Sequence, residues 1–306
     1  MKILIATDKP FAKVAVDGIR NEVEGAGFEL ALLEKYTEKQ QLLDAVADAD
    51  AVIVRSDIID AEVISAAKKM KIVVRAGAGY DNIDLDAATK AGVCVMNTPG
   101  QNANAVAELA FGLMIYGIRN YYNGTSGTEL KGKRLGIHAY GNIGRNVARI
   151  AKGFGMEISA YDIYCRAEDI KTEGVNPTCS AKTLYQSSDV ISINVPYTEE
   201  TKQFIGKELL NLLPKGAIMV NTARKEVINE PELLEYMLEN PKFKYLTDIA
   251  ADMHEEFKAK VGDRYYATVK KMGAQTEEAN INAGIAAAQQ IVDFIKNGVD
   301  KYRVNK

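Results

Sequence analysis

Short apolar runs alternate with longer amphipathic stretches along most of the chain, and this alternation constrains the fold more than any other feature. Three runs are typical of buried strands: ILIAT (3–7), AVIVR (51–55) and KIVVR (71–75). Helical periodicity is found in three stretches between and beside them: 12–27, 37–50 and 60–69. Strands that alternate with helices predict parallel β-α-β units and an α/β fold.

The pattern breaks in the middle of the chain. Asn97-Thr98-Pro99-Gly100 predicts a turn, and a long helix is predicted from about Asn104 to Tyr121. Because this helix is apolar on most of its faces, we expect it to be buried between domains or between subunits. After an exposed connection at 124–133, a second α/β series is predicted, with elements at 134–140, 142–154, 156–162, 189–196, 217–223 and 280–298.

Composition and charge exclude several classes of protein. The 306 residues suffice for two domains, and a net charge of −3 without a basic block argues against a nucleic-acid partner. No run of 18 apolar residues predicts a membrane span, and the N-terminus lacks the apolar core of a signal peptide. Cys94, Cys165 and Cys179 show no metal or redox spacing, so we expect no metal site and a cytoplasmic location.

Residues 139–144, Ala-Tyr-Gly-Asn-Ile-Gly, match the dinucleotide fingerprint G-x-G-x-x-G except at its first position. Gly141 would let the backbone approach a pyrophosphate, and Gly144 would permit close packing of a helix on a strand. Two glycines in such a turn also occur without a ligand. We predict that the loop binds a dinucleotide through Tyr140, Gly141, Asn142, Ile143 and Gly144.

The end of the next predicted strand favours NAD over NADP. Asp162 lies 18 residues beyond Gly144, where a carboxylate accepts both ribose hydroxyls and repels a 2′-phosphate. Arg166 lies close by in sequence and keeps NADP open as an alternative.

Five motifs, in order along the chain, carry a resemblance to a known family: RAGAGYDNIDLDAA (75–88), NTPGQNANAVAELAFGLM (97–114), AYGNIGRNVA (139–148), NVPYTEETK (194–202) and NTARKEVINEPEL (221–233). The chain resembles the D-isomer-specific 2-hydroxyacid dehydrogenases. Within that family, the similarity is greatest to short D-3-phosphoglycerate dehydrogenases of the lysine type.

The resemblance implies a split architecture with two Rossmann-like domains. Residues 1–103 and 281–306 would form a substrate-binding domain, and the NAD-binding domain, 104–280, would be inserted in it. The long central helix would contribute to a homodimer interface. No C-terminal regulatory domain is expected.

The resemblance also implies roles for single residues. Arg224 would bind the substrate carboxylate and polarise a ketone, and the backbone of Gly77-Ala78-Gly79 would bind the same carboxylate. Asp248 would contact the nicotinamide carboxamide. Further cofactor contacts are expected from the matching motifs, at Val195, Pro196 and Thr222. The local sequence alone is also compatible with other roles: a surface arginine for Arg224, a tight turn for residues 77–79, and a capping aspartate for Asp248.

Arg55 and Arg75 each end a predicted strand. Two guanidinium groups near one crevice suit a phosphorylated substrate, as does the resemblance, although ordinary surface arginines are the alternative. Lys9 and Lys13 are weaker candidates for the same phosphate.

The family pairs a glutamate with a catalytic histidine, and this chain departs from that pattern. Met253 stands near the glutamate position, and neither Asp252 nor Glu255 fits the register. His138 is expected to be a core residue, and His254 is a weak catalytic candidate.

The histidine position falls on Lys271 when the sequence is aligned from GAQTEEA, and on Lys270 when it is aligned from Ala-Thr-Val. We therefore predict that one of these lysines is the acid/base, with Lys271 preferred. A solvated basic loop is the alternative.

The expected function is NAD-dependent oxidation of D-3-phosphoglycerate to 3-phosphohydroxypyruvate, a step of serine synthesis. A glyoxylate or hydroxypyruvate reductase is the nearest alternative. A non-catalytic NAD(H)-sensing scaffold is the alternative from another class of protein.

Overall fold

The computed structural model describes residues 1–305, which divide into two compact units. The first unit combines Met1–Asn102 with the chain from Gln275 onward, and the second consists of Ala103–Ala274. The first unit is therefore discontinuous in sequence, and the second is a single insertion within it.

The helices and strands are numbered in chain order. The N-terminal segment of the first unit contains β1 (Lys2–Thr7), α1 (Lys13–Gly25), β2 (Glu29–Glu34), α2 (Lys39–Val46), β3 (Ala51–Val54), α3 (Ala61–Ala66), β4 (Ile72–Arg75), α4 (Leu85–Lys90) and β5 (Cys94–Asn97). The second unit contains α5 (Ala103–Ile118), β6 (Arg134–His138), α6 (Asn142–Gly153), β7 (Glu157–Tyr161), α7 (Ala167–Thr172), β8 (Asn176–Pro177), α8 (Ala181–Gln186), β9 (Val190–Ile193), α9 (Lys207–Leu210), β10 (Ile218–Asn221), α10 (Glu230–Glu239), β11 (Lys244–Thr247), α11 (His254–Val261) and β12 (Tyr265–Ala267). The chain then returns to the first unit with α12 (Glu277–Asn297).

The first unit is built on a five-stranded parallel sheet in the order β2-β1-β3-β4-β5. Helices α1 and α12 pack on one face of the sheet, with Ile19, Ala287 and Ile291 fully buried among apolar strand residues. Helices α2, α3 and α4 cover the other face. The strand order reverses between β1 and β3, and ligands of such sheets bind at the carboxyl ends of the strands at this reversal.

The second unit is built on a seven-stranded parallel sheet in the order β12-β11-β10-β9-β6-β7-β8. Helices α5 and α6 contribute to the apolar layer on one face, and α8, α10 and α11 contribute to the layer on the other. Its order reverses between β6 and β9, which is the dinucleotide-binding position of a Rossmann sheet. Both sheets confirm the predicted α/β class with two Rossmann-like units.

Several predicted elements end earlier than expected, among them the strands predicted at 189–196 and 217–223, which end at Ile193 and Asn221. Backbone conformation explains two of these differences. The long helix stops at Ile118 instead of Tyr121, because Asn120, Tyr121 and Tyr122 have φ values of 50°, 58° and 56°, which no right-handed helix accommodates. Strand β6 stops at His138 instead of Tyr140, because Ala139 has φ 73°. Packing within the second unit, on α6, β10 and β11, accounts for the buried residues of α5. Within residues 1–305, every helix is too short or too polar to cross a lipid bilayer.

Candidate active site

The seven-stranded sheet brings many of the predicted site residues to one edge. The last residues of six neighbouring strands pair with one another in one row across the sheet: Tyr161, His138, Ile193, Asn221, Thr247 and Ala267. Because the strands are parallel, the residues that follow this row all emerge at the carboxyl edge. Five of them come directly after it: Asp162, Asn194, Thr222, Asp248 and Thr268.

The phosphate loop is shaped by Ala139 and Gly144. Ala139 adopts φ 73°, so the first fingerprint position has the left-handed conformation although it is not glycine. A Cβ at Gly144 would collide with the Ala139 carbonyl oxygen and would lie 3.1 Å from Ile137 Cγ2, so only glycine permits this close approach of helix and strand. Gly141 is the N-cap of α6 and makes no side-chain cap bond, which leaves the first N–H groups of the helix available to phosphate.

Asp162 holds the phosphate loop to the end of β7. Its Oδ2 accepts a hydrogen bond from the Tyr140 N–H at 2.7 Å, and its Oδ1 accepts from the N–H groups of Tyr164 and Cys165 at 2.7 and 2.8 Å. The Tyr140 side chain is buried, and its hydroxyl donates to Glu173 at 2.9 Å. The predicted contact of Asp162 with ribose stays a prediction, and the structure adds a loop-ordering role.

Two buried polar atoms at this edge have no protein partner among the described residues. They are Asn194 Oδ1, which follows β9, and Thr222 Oγ1, which follows β10. Buried polar atoms are rarely left unsatisfied, so both suit a polar ligand. Val195 is buried and Pro196 is exposed beside Asn194. The residues at this edge therefore fit a dinucleotide.

Arg224 lies in the turn that follows β10, close behind the last strand residue, Asn221. Asn221 orders this turn, because its side chain accepts from the Ala223 N–H at 2.9 Å and donates to the Arg224 carbonyl at 3.0 Å. The half-buried Arg224 side chain donates to the Ala223 carbonyl at 3.0 Å. Its fixed backbone makes it suitable for binding a carboxylate.

Lys270 and Lys271 lie in a loop of residues 268–273, termed the lysine loop, that follows β12. Both lysines are exposed within the unit, and Val269 beside them is 98% exposed. Since β10, β11 and β12 are neighbours, Arg224, Asp248 and the lysine loop follow three adjacent strands at the same edge.

Neither histidine lies in the lysine loop. His138 is buried within β6, with its Nδ1 3.2 Å from the Tyr185 hydroxyl, and burial lowers its pKa to about 4. His254 begins α11, and its Nδ1 lies 3.0 Å from the Tyr265 hydroxyl.

The region of the missing glutamate is ordered by another acid. Buried Glu230 accepts from the N–H groups of Asp252 and Met253 at 3.0 and 2.9 Å. Asp252 itself pairs with Lys225.

In the first unit, Arg55 lies at the strand-order reversal, directly after β3. Its guanidinium bonds neutral oxygens: the Lys9 carbonyl at 3.0 Å, the Pro10 carbonyl at 3.3 Å and Asn280 Oδ1 at 2.6 Å. Burial lowers the pKa of Arg55, and Asp57 and Asp8 offset part of that shift. The weaker candidates Lys9 and Lys13 are both exposed.

Arg75 is close to Arg55, since its Nε donates to the Arg55 carbonyl at 3.0 Å. Gly77 has φ 154°, a backbone conformation that residues with a Cβ rarely adopt, and the Arg75 guanidinium lies where a Cβ would be, so glycine is favoured there. The Gly77–Gly79 turn is tied to the end of β5, because the Asn97 side chain donates to the Ala78 carbonyl at 2.6 Å and the Thr98 N–H donates to the Gly77 carbonyl at 3.0 Å.

Three residues whose hydrogen bonds hold neighbouring site residues or loops in place were not predicted as site residues: Glu230, Asn280 and Asp57. Asp57 is buried and accepts from the Asp8 N–H at 2.8 Å and from the Tyr36 hydroxyl at 2.7 Å. Their side chains contact backbone groups, an arginine or a tyrosine hydroxyl, and no sequence motif marks that kind of contact.

Comparison with known proteins identifies the family. Residues 106–262 match the model of the D-isomer specific 2-hydroxyacid dehydrogenase, NAD binding domain. The chain belongs to this family. The match confirms the predicted family, the class of NAD-dependent dehydrogenases and NAD as the cofactor.

Individual relatives differ in their names. The D-3-phosphoglycerate dehydrogenase of Methanocaldococcus jannaschii is 37% identical over 87% of this chain, which spans only 54% of that protein. The hydroxypyruvate reductase of Thermotoga maritima is also 37% identical, over 86% of this chain and 90% of that protein. An NAD+-bound 3-phosphoglycerate dehydrogenase of Entamoeba histolytica has a similar structure, with a TM-score of 0.88, 48% identity and coverage of 100% of this chain and 99% of that one.

Proposed function

We propose that the protein oxidises D-3-phosphoglycerate to 3-phosphohydroxypyruvate with NAD, in serine synthesis, as a homodimer. The observation that carries the substrate proposal is the pair Arg55 and Arg75 at the carboxyl ends of β3 and β4. The guanidinium of Arg55 hydrogen-bonds uncharged oxygens, so its positive charge can interact with a phosphate. The Entamoeba relative, named a 3-phosphoglycerate dehydrogenase, supports the same substrate.

In the proposed reaction, each group has a role that follows from its chemistry. Arg55 and Arg75 bind the phosphate, and the N–H groups of Gly77–Gly79 bind the carboxylate. Arg224 binds the carboxylate and the C2 oxygen. When bound, NAD supplies the hydride acceptor for C2.

The proton of the C2 hydroxyl is taken by Lys271 or Lys270. In the reverse direction, a protonated lysine donates this proton to the ketone oxygen, and lysine is ordinarily protonated near neutral pH.

The substrate proposal is tested with NADH and two keto acids, 3-phosphohydroxypyruvate and hydroxypyruvate, by following NADH absorbance. We expect a higher kcat/KM for the phosphorylated substrate. Arg55→Ala and Arg75→Ala should each lower that value by roughly 10- to 100-fold, as expected for a hydrogen bond to a charged group, and leave hydroxypyruvate almost unaffected. Arg20→Ala is the control, because Arg20 is paired with Glu24 on α1.

Equal use of both keto acids, insensitive to either arginine, would instead support a glyoxylate or hydroxypyruvate reductase; the Thermotoga relative is named a hydroxypyruvate reductase. NADH binding without turnover on any 2-keto acid would support the non-catalytic scaffold. Sedimentation analysis of the same sample decides whether it is a homodimer.

The proton-transfer proposal is tested with Lys270→Ala and Lys271→Ala. The variant that removes the acid/base should lose about 100-fold or more in kcat with little change in KM. Lys258→Ala, an exposed lysine on α11, is the matched control. Normal turnover in both loop variants would rule out a lysine acid/base.

A further inference from the structure

The lysine loop is assembled around one buried carboxylate. Asp248 is 1% exposed, its Oδ1 accepts from the Met272 N–H at 2.6 Å, and its Oδ2 accepts from the Gly273 N–H at 2.8 Å. The Thr268 hydroxyl lies 2.7 Å from the carbonyl oxygens of both Asp248 and Lys270. One side chain therefore fixes the far end of the loop, and a second fixes its beginning.

Regular secondary structure does not set the shape of this loop. Residues 268–273 lie between β12 and α12 and belong to neither helix nor strand. Lys270 and Lys271 are exposed between the two tethered ends. The hydrogen bonds of Asp248 and Thr268 therefore help to fix the backbone that carries the two lysines.

We propose that Asp248 is a positioning residue for proton transfer, which acts by holding the backbone that carries Lys270 and Lys271. This inference rests on the proposed lysine acid/base. It gives Asp248 a role besides the nicotinamide contact that the resemblance implies. Hydrogen bonds from backbone N–H groups to an ionised carboxylate are among the stronger ones, and a buried carboxylate requires them.

Gly273 indicates how tightly the tether is built. A Cβ at Gly273 would lie 2.8 Å from Asp248 Oδ2 and 3.3 Å from Val106 Cγ2. A side chain at this position would displace the backbone N–H from the carboxylate. Gly273→Ala therefore perturbs the tether without changing any charge.

The test is Asp248→Asn, because an amide keeps the shape of the carboxylate but presents an N–H to one of the two backbone N–H donors. We expect kcat for 3-phosphohydroxypyruvate reduction to fall by roughly 10- to 100-fold. The Kd for NADH should rise by a smaller factor, which reports on the nicotinamide contact. Hydrogen exchange at the amides of Met272 and Gly273 should accelerate by a factor similar to the loss in kcat. Gly273→Ala should reproduce the effects on kcat and on exchange.

The control is Asp252→Asn, which removes an exposed carboxylate in the same unit and should change none of these quantities. If Asp248→Asn does not fold, Thr268→Val tests the other tether, with an expected loss in kcat of about 3- to 10-fold.

Two results would overturn the inference. One is weaker NADH binding in Asp248→Asn with unchanged exchange at Met272 and Gly273, because that outcome assigns the carboxylate to the nicotinamide alone. The other is faster exchange with normal kcat, because the loop position would then not matter to turnover. If Lys270→Ala and Lys271→Ala are both fully active, the proposed acid/base fails, and the exchange data still decide separately whether Asp248 holds the loop.

Discussion

The two glycines of the phosphate loop should respond to alanine in opposite ways. At Gly144 a methyl group would overlap the Ala139 carbonyl and press on Ile137, so α6 must shift away from β6. Overpacking of this kind costs about 1–3 kcal/mol, which corresponds to a decrease in Tm of roughly 2–10 °C for a unit of this size. At Gly141 nothing lies within 4 Å of an added Cβ, and φ is −82°, so we expect no loss of stability.

For NADH binding we expect the larger effect in Gly141→Ala and the smaller one in Gly144→Ala. A methyl group at Gly141 would occupy the space in which the backbone approaches the pyrophosphate, so the Kd for NADH should rise about 10-fold or more. The assays are thermal unfolding by circular dichroism and NADH titration by fluorescence. Gly153→Ala, at the other end of α6 with open space around it, is the control and should change neither quantity adversely.

Normal NADH affinity in Gly141→Ala would refute the assigned path of the pyrophosphate. A Gly144→Ala variant as stable as the parent would show that the strand–helix contact is looser than the structure indicates.

Three further outcomes follow from single contacts. Asn280→Ala removes the 2.6 Å acceptor of Arg55, so KM for the phosphorylated substrate should rise by about 10-fold with kcat nearly constant; an unchanged KM would show that Arg55 needs no such support. Thr222→Val removes a buried hydroxyl that has no hydrogen-bond partner within residues 1–305, so Tm should not fall, whereas the affinity for NADH should decrease. An unchanged affinity for NADH would show that Thr222 does not contact the cofactor. Because burial lowers the pKa of His138 to about 4, only the unfolded state takes up its proton between about pH 6.5 and 4, and stability should decrease by up to roughly 3 kcal/mol as pH falls through that range. The free energy of unfolding is measured by urea denaturation between about pH 6.5 and 4. In His138→Leu it should depend less on pH than in the parent, and in the control His254→Asn the pH dependence should be retained.

The sequence predicts the residues at the strand ends well, for a physical reason. A buried parallel strand is a short apolar run, so the residue after the run is marked in the sequence, as Asp162 is after β7 and Asp248 after β11. The carboxyl edge follows from the parallel arrangement without further information. The α/β class and the cofactor can therefore be predicted from the amino-acid sequence alone.

The contacts between those residues could not be predicted in the same way. Asn280 and Arg55 are 225 residues apart, and only the folded first unit brings α12 to the end of β3. The early end of α5 depends on three positive φ values at Asn120–Tyr122, although tyrosine ordinarily avoids this conformation. Such features depend on tertiary contacts, for which local composition carries no signal.

The lysine and the absent glutamate are chemically consistent with each other. A catalytic imidazole has two distinct nitrogens, so a carboxylate is needed to fix its tautomer and orientation. An ammonium group has three equivalent donors on a flexible stem, so it has no tautomer to fix, but its reach depends on where its backbone lies. In this chain the buried acids bind backbone: Glu230 holds Asp252 and Met253, and Asp248 holds the end of the lysine loop. If a lysine transfers the proton, the buried carboxylate of Asp248 therefore contributes by fixing the main chain that carries the lysine.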